Sequence, residues 1–274
     1  MAPNLGEYYH AIASEMAVFQ QSNQHLAQAA ELKPGMTVVD LGCGSGLTSL
    51  AALAEVPEGL KLILIDSSAS MIEMARRNLG DRAAAYHMAD ASAVADLVTE
   101  KVDRVLCNLS LWYFKEPEAV LRKLRPVIKP TGQLCFSLLG TYFNTLGDVV
   151  SPYWALLRVL TDRGLYPKAL PDVDRLPNQR SIEGTLSGAG FKPFAYAMHE
   201  VEAPEGELAN WLRLFPIADG ATRAEAAERS LALLEGVRDA VADFNPRWRT
   251  VQFQAQPNVD PAEVLLARFG NLKK

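Results

Sequence analysis

The sequence predicts an α/β fold: a doubly wound, mostly parallel, seven-stranded sheet with helices on both faces and helical lid inserts. Three observations carry that expectation. Between residues 36 and 140, continuous apolar runs rich in Val, Ile and Leu alternate with helix-like segments, the pattern of strands covered on both sides. A glycine-rich turn, Gly42-Cys43-Gly44-Ser45-Gly46, follows the first of those runs, where a doubly wound sheet places its ligand. The chain has 274 residues, 49% of them hydrophobic and 22% charged, enough for one generous domain with a sizeable core.

Each element has its own signal. Residues 7–31 set Ile12, Met16, Phe19, Leu26 and Ala30 at helical spacing, and Lys33-Pro34-Gly35 stops the helix. Residues 36–41 are the first strand, and the Ala- and Leu-rich stretch 46–55 is the helix after it. Residues 60–66 form the second strand; 67–79 form a helix with serine at its start and Gly80 at its end. A weaker third strand covers 83–90 and a fourth 102–110. The helix over 116–128 carries Pro117 in its first turn, and 132–140 is the fifth strand. Residues 191–201 and 248–256 read as the sixth and seventh.

Two stretches interrupt the alternation: 141–180, aromatic-rich and punctuated by prolines, and 204–245, mostly helical. They read as substrate-binding lids within a single domain spanning 1–274, with 1–31 as an N-terminal helical cap.

Composition excludes some partners. A net charge of -5 argues against nucleic acid and against an anionic membrane surface, both of which ask for a basic face. The expected partner is a small molecule, and the expected assembly a monomer or homodimer. Cys43, Cys107 and Cys135 lie in or beside apolar runs, as reduced core thiols do, and no metal site is expected. The start, MAPNLGEYYH, shows no basic-then-apolar leader. No apolar run reaches the ~20 residues of a membrane span. A cytoplasmic protein is the expectation.

The glycine turn carries the chemistry. A nicotinamide-dinucleotide turn would need glycines at 42, 44 and 47, but residue 47 is Leu and the third glycine is Gly46. Asp40, two residues ahead of the first glycine, would repel a pyrophosphate and attract a ligand bearing an ammonium and a sulfonium. In this turn the chain resembles the class I S-adenosylmethionine (SAM)-dependent methyltransferases, a Rossmann-like family, and the resemblance covers residues 8–140 best. It implies S-adenosyl-L-methionine as cofactor and S-adenosyl-L-homocysteine as product.

The resemblance also implies roles, residue by residue. Asp40, Gly42, Gly44 and Gly46 form the cofactor turn. Asp66, 22 residues beyond Gly44, takes the ribose hydroxyls, with Ser67 and Met71 flanking the adenine. Asp90-Ala91 reads the adenine edge, Asn108 faces the methionine end, and Tyr9 belongs to an N-terminal segment that folds over the ligand. Read alone, each residue has a structural account: Asp66 as a helix cap, Met71 as a core filler, Asn108 as a turn residue. What distinguishes the functional reading is their common register at the ends of four successive strands.

Methyl transfer from a sulfonium is an in-line displacement that draws on alignment and desolvation, and an alcohol acceptor would also need a base. His199, beside Glu200, is the candidate base; a surface histidine is the other reading. Trp112, Tyr113, Tyr142 and Trp154 are candidates for an apolar acceptor pocket, packing of the insert being the alternative. Members that methylate DNA amino groups carry an N/D-P-P-Y/F motif, from which Asn108-Leu109-Ser110-Leu111 departs. Methylation of a small molecule by O-, N- or C-transfer in specialised metabolism is the expected activity. A SAM-binding cyclase, or an RNA or protein methyltransferase, is the alternative.

Overall fold

A computed structural model describes residues 5–111, 114–140, 161–163, 178–202 and 247–260, with single positions at 159, 207, 210, 213, 214, 228, 232, 235, 262 and 265. Helices α1 (Leu5–Ala13) and α2 (Ala17–Ala29) precede β1 (Thr37–Leu41), α3 (Leu47–Glu55), β2 (Lys61–Asp66), α4 (Ala69–Leu79) and β3 (Ala85–Met88). Then come α5 (Val94–Leu97), β4 (Val102–Asn108), α6 (Pro117–Leu124), β5 (Ile128–Leu139), α7 (Gln179–Gly188), β6 (Phe191–Glu202) and β7 (Arg247–Pro257).

The strands form one seven-stranded sheet in the order β3-β2-β1-β4-β5-β7-β6. β1 pairs in parallel with both β2 and β4, and the β2–β3 and β4–β5 pairs are parallel as well. The chain winds outward from β1 to β3, then crosses back to β4 on the other side of β1. That reversal opens a crevice at the carboxyl ends of β1 and β4, the place where such sheets bind ligands.

The apolar runs explain the sheet. All five residues of β1 are buried, as are the four central residues of β2. Helices bury one stripe each: Ile72, Ala75 and Leu79 on α4, and Val120, Leu121 and Leu124 on α6. Leu26, Val38, Leu62, Leu64, Leu106 and Cys135 meet in one core cluster, where each fully buried Leu contributes about 2 kcal/mol of transfer free energy. Toward β7 and β6, Phe136 stacks on Phe253 with ring centroids 5.2 Å apart, and Tyr196 meets Phe253 edge-on.

The chain divides into two compact units. One comprises 23–138, 180–197 and 252–274 and holds the glycine turn with the carboxyl ends of β1 to β4. Within it, the carbonyl end of α2 is closed by the buried Arg104, whose Nε donates to Ala30 O at 2.6 Å, a cation placed at a helix C-terminus. The other comprises 1–22, 139–179 and 198–251. There Glu207, 4% exposed, accepts from the amides of Ala17 and Val18 at 2.9 and 3.0 Å. It caps the first turn of α2, whose own start supplies no acidic residue.

Four local expectations need correction. The helical stretch 7–31 is two helices, because the backbone turns at Ser14-Glu15, with Gln20 Nε2 donating to Ser14 O at 2.7 Å. α4 starts at Ala69 and is capped by Ser68 rather than Ser67. β5 begins at Ile128 and runs through Pro130, which the β4–β5 pairing allows because its register shifts between Val102 and Arg104. Helix α7 was not anticipated: it is polar on average and buries only Ile182 and Leu186.

Candidate functional site

The turn after β1 is built by left-handed backbone. Gly42, Gly44 and Gly46 have φ of 69, 52 and 86°, values that strain any residue with a side chain. Gly42 is also pinned sterically, since a Cβ there would lie 2.7 Å from Ser110 Cβ. Gly44 is different: a Cβ on it would meet nothing within 4 Å. Gly46 is the N-cap of α3 and offers no side-chain cap.

Asp40, at 1% exposure, is the penultimate residue of β1, just ahead of this turn. Its Oδ2 accepts from the Ser49 hydroxyl of α3 at 2.7 Å. Its Oδ1 is buried with no hydrogen-bond partner among the described residues. Burial pushes the carboxyl up to about 7, the Ser49 hydrogen bond opposes the rise, and the neighbouring Asp66 adds to it. A buried acceptor without a donor is costly, so the atom marks a place where a donor or cation belongs.

Asp66 ends β2 half-buried. Its Oδ2 accepts from the Gly44 amide and its Oδ1 from the Ser68 amide, both at 2.9 Å. The carboxylate thus ties the glycine turn to the start of α4, while Ser68 Oγ caps that helix; Asp66 is not itself the cap. Each carboxylate oxygen keeps a second lone pair for a ligand hydroxyl. Ser67 is exposed and Met71 half-buried on α4. After β3, Asp90 is exposed and accepts from the Ser92 amide at 2.8 Å, and bonds from Ser92 hold its carboxyl below the usual range. Ala91 is buried next to it.

Asn108 ends β4 as expected, but its side chain is engaged by protein. Nδ2 donates to Asn23 Oδ1 at 2.7 Å, and Oδ1 accepts from Ser137. Asn23 Oδ1 also accepts from Thr48 at 2.7 Å. Beyond it, Leu109 adopts φ 54°, and Ser110 Oγ donates to Gly42 O at 3.0 Å and Asn108 O at 2.8 Å. The loop after β4 is thereby latched onto the glycine turn.

The structure brings Asp40, Gly42, Gly44, Gly46, Asp66 and Asn108 together at the carboxyl edge of the sheet, with Asp90-Ala91 at the end of neighbouring β3. Ser49, Ser110, Asn23 and Ser137 complete that edge and were not singled out from the sequence. A serine three residues into the helix after a glycine turn was a usable signal for Ser49; nothing marked Asn23. Tyr9 and His199 belong to the other compact unit. Tyr9 packs edge-on to Phe19 with centroids 6.3 Å apart. His199 is half-buried on β6, and the adjacent Glu200 accepts from Arg249 Nε at 2.9 Å. Trp112, Tyr113, Tyr142 and Trp154 lie outside the described residues.

Among the described residues no group of three or more His, Cys, Asp or Glu side chains could hold a metal ion. The three cysteines are free and buried, and burial raises all three thiols. No helix among the described residues is long and apolar enough to cross a membrane. The donor set at the edge suits a cationic nucleoside: two carboxylates, one with an orphaned oxygen, beside a glycine with open space.

Comparison with known proteins agrees with that chemistry. Residues 32–151 match a family model described as a methyltransferase domain. A ubiquinone/menaquinone biosynthesis C-methyltransferase from Cellvibrio japonicus is 24% identical over 210 residues, 69% of this chain and 84% of that protein. Among solved structures, a SAM-dependent methyltransferase from Thiobacillus denitrificans, in complex with S-adenosyl-L-homocysteine, superposes with a TM-score of 0.56 at 16% identity, covering 86% of this chain and 91% of that one. The 4+2 cyclase SpnF gives 0.59 at 18% identity, covering 88% and 82%; both show a shared fold. Residues 32–151 thus match a methyltransferase domain, and the chain is similar in sequence and fold to S-adenosylmethionine-dependent methyltransferases.

Proposed function

We propose that this methyltransferase acts on a small-molecule acceptor, and that the crevice at the ends of β1, β2 and β4 holds its cofactor. The observation that carries the placement is the orphaned Oδ1 of Asp40, beside the open face of Gly44. In this reading Asp40 receives the cationic amino-acid end, Gly42, Gly44 and Gly46 let the ligand approach the backbone, and Asp66 takes the ribose hydroxyls. Ser67 and Met71 flank the adenine, and Asp90 and the Ala91 amide read its edge. Asn108 contributes differently from its assigned role: with its amide spent on Asn23 and Ser137, it holds the loop after β4 in place while backbone faces the methionine end.

Bound S-adenosylmethionine supplies an electrophilic methyl on a sulfonium whose thioether leaves without a proton. What the chain must add is alignment and exclusion of water. The biosynthetic role of the Cellvibrio relative and the chain's negative net charge support a small organic acceptor over nucleic acid.

A second reading, sulfonium binding for a reaction other than transfer, draws support from the likeness to a cyclase. Incubation with methyl-labelled cofactor and a panel of phenols, amines and quinone precursors separates the two. Label in an acceptor product supports transfer; consumption of an acceptor with no label moved supports the alternative.

A further inference from the structure

We propose that Ser49 is a positioning residue for the cofactor's cationic end: its hydroxyl commits Oδ2 of Asp40 to helix α3 and leaves Oδ1 as the oxygen without a protein partner among the described residues. The proposal rests on the reading of Asp40 as the cation-binding acid and deepens it.

Ser49 is fully buried and lies in the first turn of α3. Its Oγ donates to Oδ2 at 2.7 Å, while Oδ1 stays buried without a partner among the described residues. The asymmetry is the point. A carboxylate on a freely rotating χ2 would present either oxygen; the short bond from the Ser49 hydroxyl, joined by a backbone bond from the same residue, ties it to a rigid helix. A hydrogen bond to a charged acceptor also supports the ionised form that a cation needs.

The setting makes this support consequential. The groups whose charge acts on Asp40 or that it acts upon are Asp66, Cys43 and Cys107. None is a cation, so the Ser49 hydroxyl, with a smaller share from the Ser49 backbone, is what opposes burial there. α3 also lacks a side-chain cap from Gly46. The Asp40–Ser49 pair therefore links the glycine turn to the helix that a local cap would otherwise secure.

Titration calorimetry of the full chain tests this with three ligands: S-adenosylmethionine, S-adenosylhomocysteine, and methylthioadenosine, which keeps the nucleoside and lacks the amino-acid end. In Ser49→Ala, affinity for the first two should fall about tenfold, affinity for methylthioadenosine should stay within about twofold, and the rise of cofactor affinity with pH should move to higher pH. Ser49→Cys, nearly isosteric with a weaker donor, should show the same pattern with a smaller loss and guards against an Ala variant that does not fold. Equal losses for all three ligands would overturn the proposal, making Ser49 a fold residue only. Unchanged binding in Ser49→Ala while Asp40→Asn is impaired would also overturn it. Unchanged cofactor binding in Asp40→Asn would remove the underlying reading of Asp40 itself.

Discussion

The two strand-to-helix turns at the crevice, from β1 into α3 and from β2 into α4, solve the same problem in opposite ways. The β2 turn is self-sufficient: Asp66 accepts from the Ser68 amide, Ser68 Oγ caps α4, and every acceptor oxygen has a protein donor. The β1 turn contains three left-handed glycines and an uncapped helix start, and leaves a buried carboxylate oxygen orphaned. The difference teaches that the first turn has given up local satisfaction. Stability withheld there is available to a ligand that completes it.

The largest effect is expected where the β1 turn is sterically locked. Gly42→Ala forces a Cβ to within 2.7 Å of Ser110 Cβ at φ 69°. Left-handed strain and overpacking together should cost about 2–5 kcal/mol, read by urea denaturation, and cofactor binding should disappear with the latch. Gly44→Ala sharpens the contrast. With nothing within 4 Å, it should cost only about 1–2 kcal/mol of backbone strain, yet still abolish binding because the Cβ occupies the approach face. Retained binding in Gly44→Ala would place the ligand elsewhere.

Next comes the acid shared by both turns. Asp66→Ala should erase the thermal stabilisation by S-adenosylmethionine, a loss of about 2.7 kcal/mol at a ligand concentration near 100 times Kd. NAD and NADP should stabilise neither protein. A shift that survives in Asp66→Ala rules out the ribose assignment.

The comparison also has a pH signature. Asp40 has its carboxyl raised from 3.8 to about 7, so the folded state keeps a proton that the unfolded chain releases between those values. Its contribution to stability is therefore largest at low pH and is lost as pH rises through that window. Asp40→Asn removes the dependence, so the difference in melting temperature should move in favour of the variant from pH 5 to pH 8. Binding runs the other way. Wild-type affinity for S-adenosylmethionine should rise about tenfold from pH 6 to 8, as the carboxylate becomes charged before the cation arrives, and Asp40→Asn should flatten that rise. A flat wild-type profile would show that Asp40 does not face the cation.

Much of this contrast was legible in the residues themselves. Continuous apolar runs announced buried parallel strands, and the spacing of Gly42, Gly44 and Gly46 behind Asp40 announced the turn and its charge. Less legible were partners that meet only through the fold. Asn23 lies 85 residues from Asn108, and no local pattern joins them, so the engagement of the Asn108 amide could not be foreseen. The break between α1 and α2 falls at Ser14-Glu15, without proline or glycine to mark it. β5 passes through Pro130 because a register shift absorbs it, a tertiary accommodation invisible in propensity. α7 hid because its short polar face outweighs two buried residues.

The smallest effect belongs to the self-sufficient turn. Ser68→Ala removes the hydroxyl that accepts from the Met71 amide at 3.4 Å, a long bond, so the cost should sit near the lower end for a lost cap, about 0.5–1 kcal/mol. Asp66 still accepts from the residue-68 amide, which the substitution leaves in place, so the ribose acid keeps its orientation. Cofactor affinity should therefore stay within about twofold while melting falls by a few degrees. That separation is what divides the two turns: at β2 a cap can be lost without touching the ligand, whereas at β1 the groups that hold the helix are the groups that hold the cation. A tenfold loss of affinity in Ser68→Ala would erase the distinction and make both turns parts of one ligand-supporting frame.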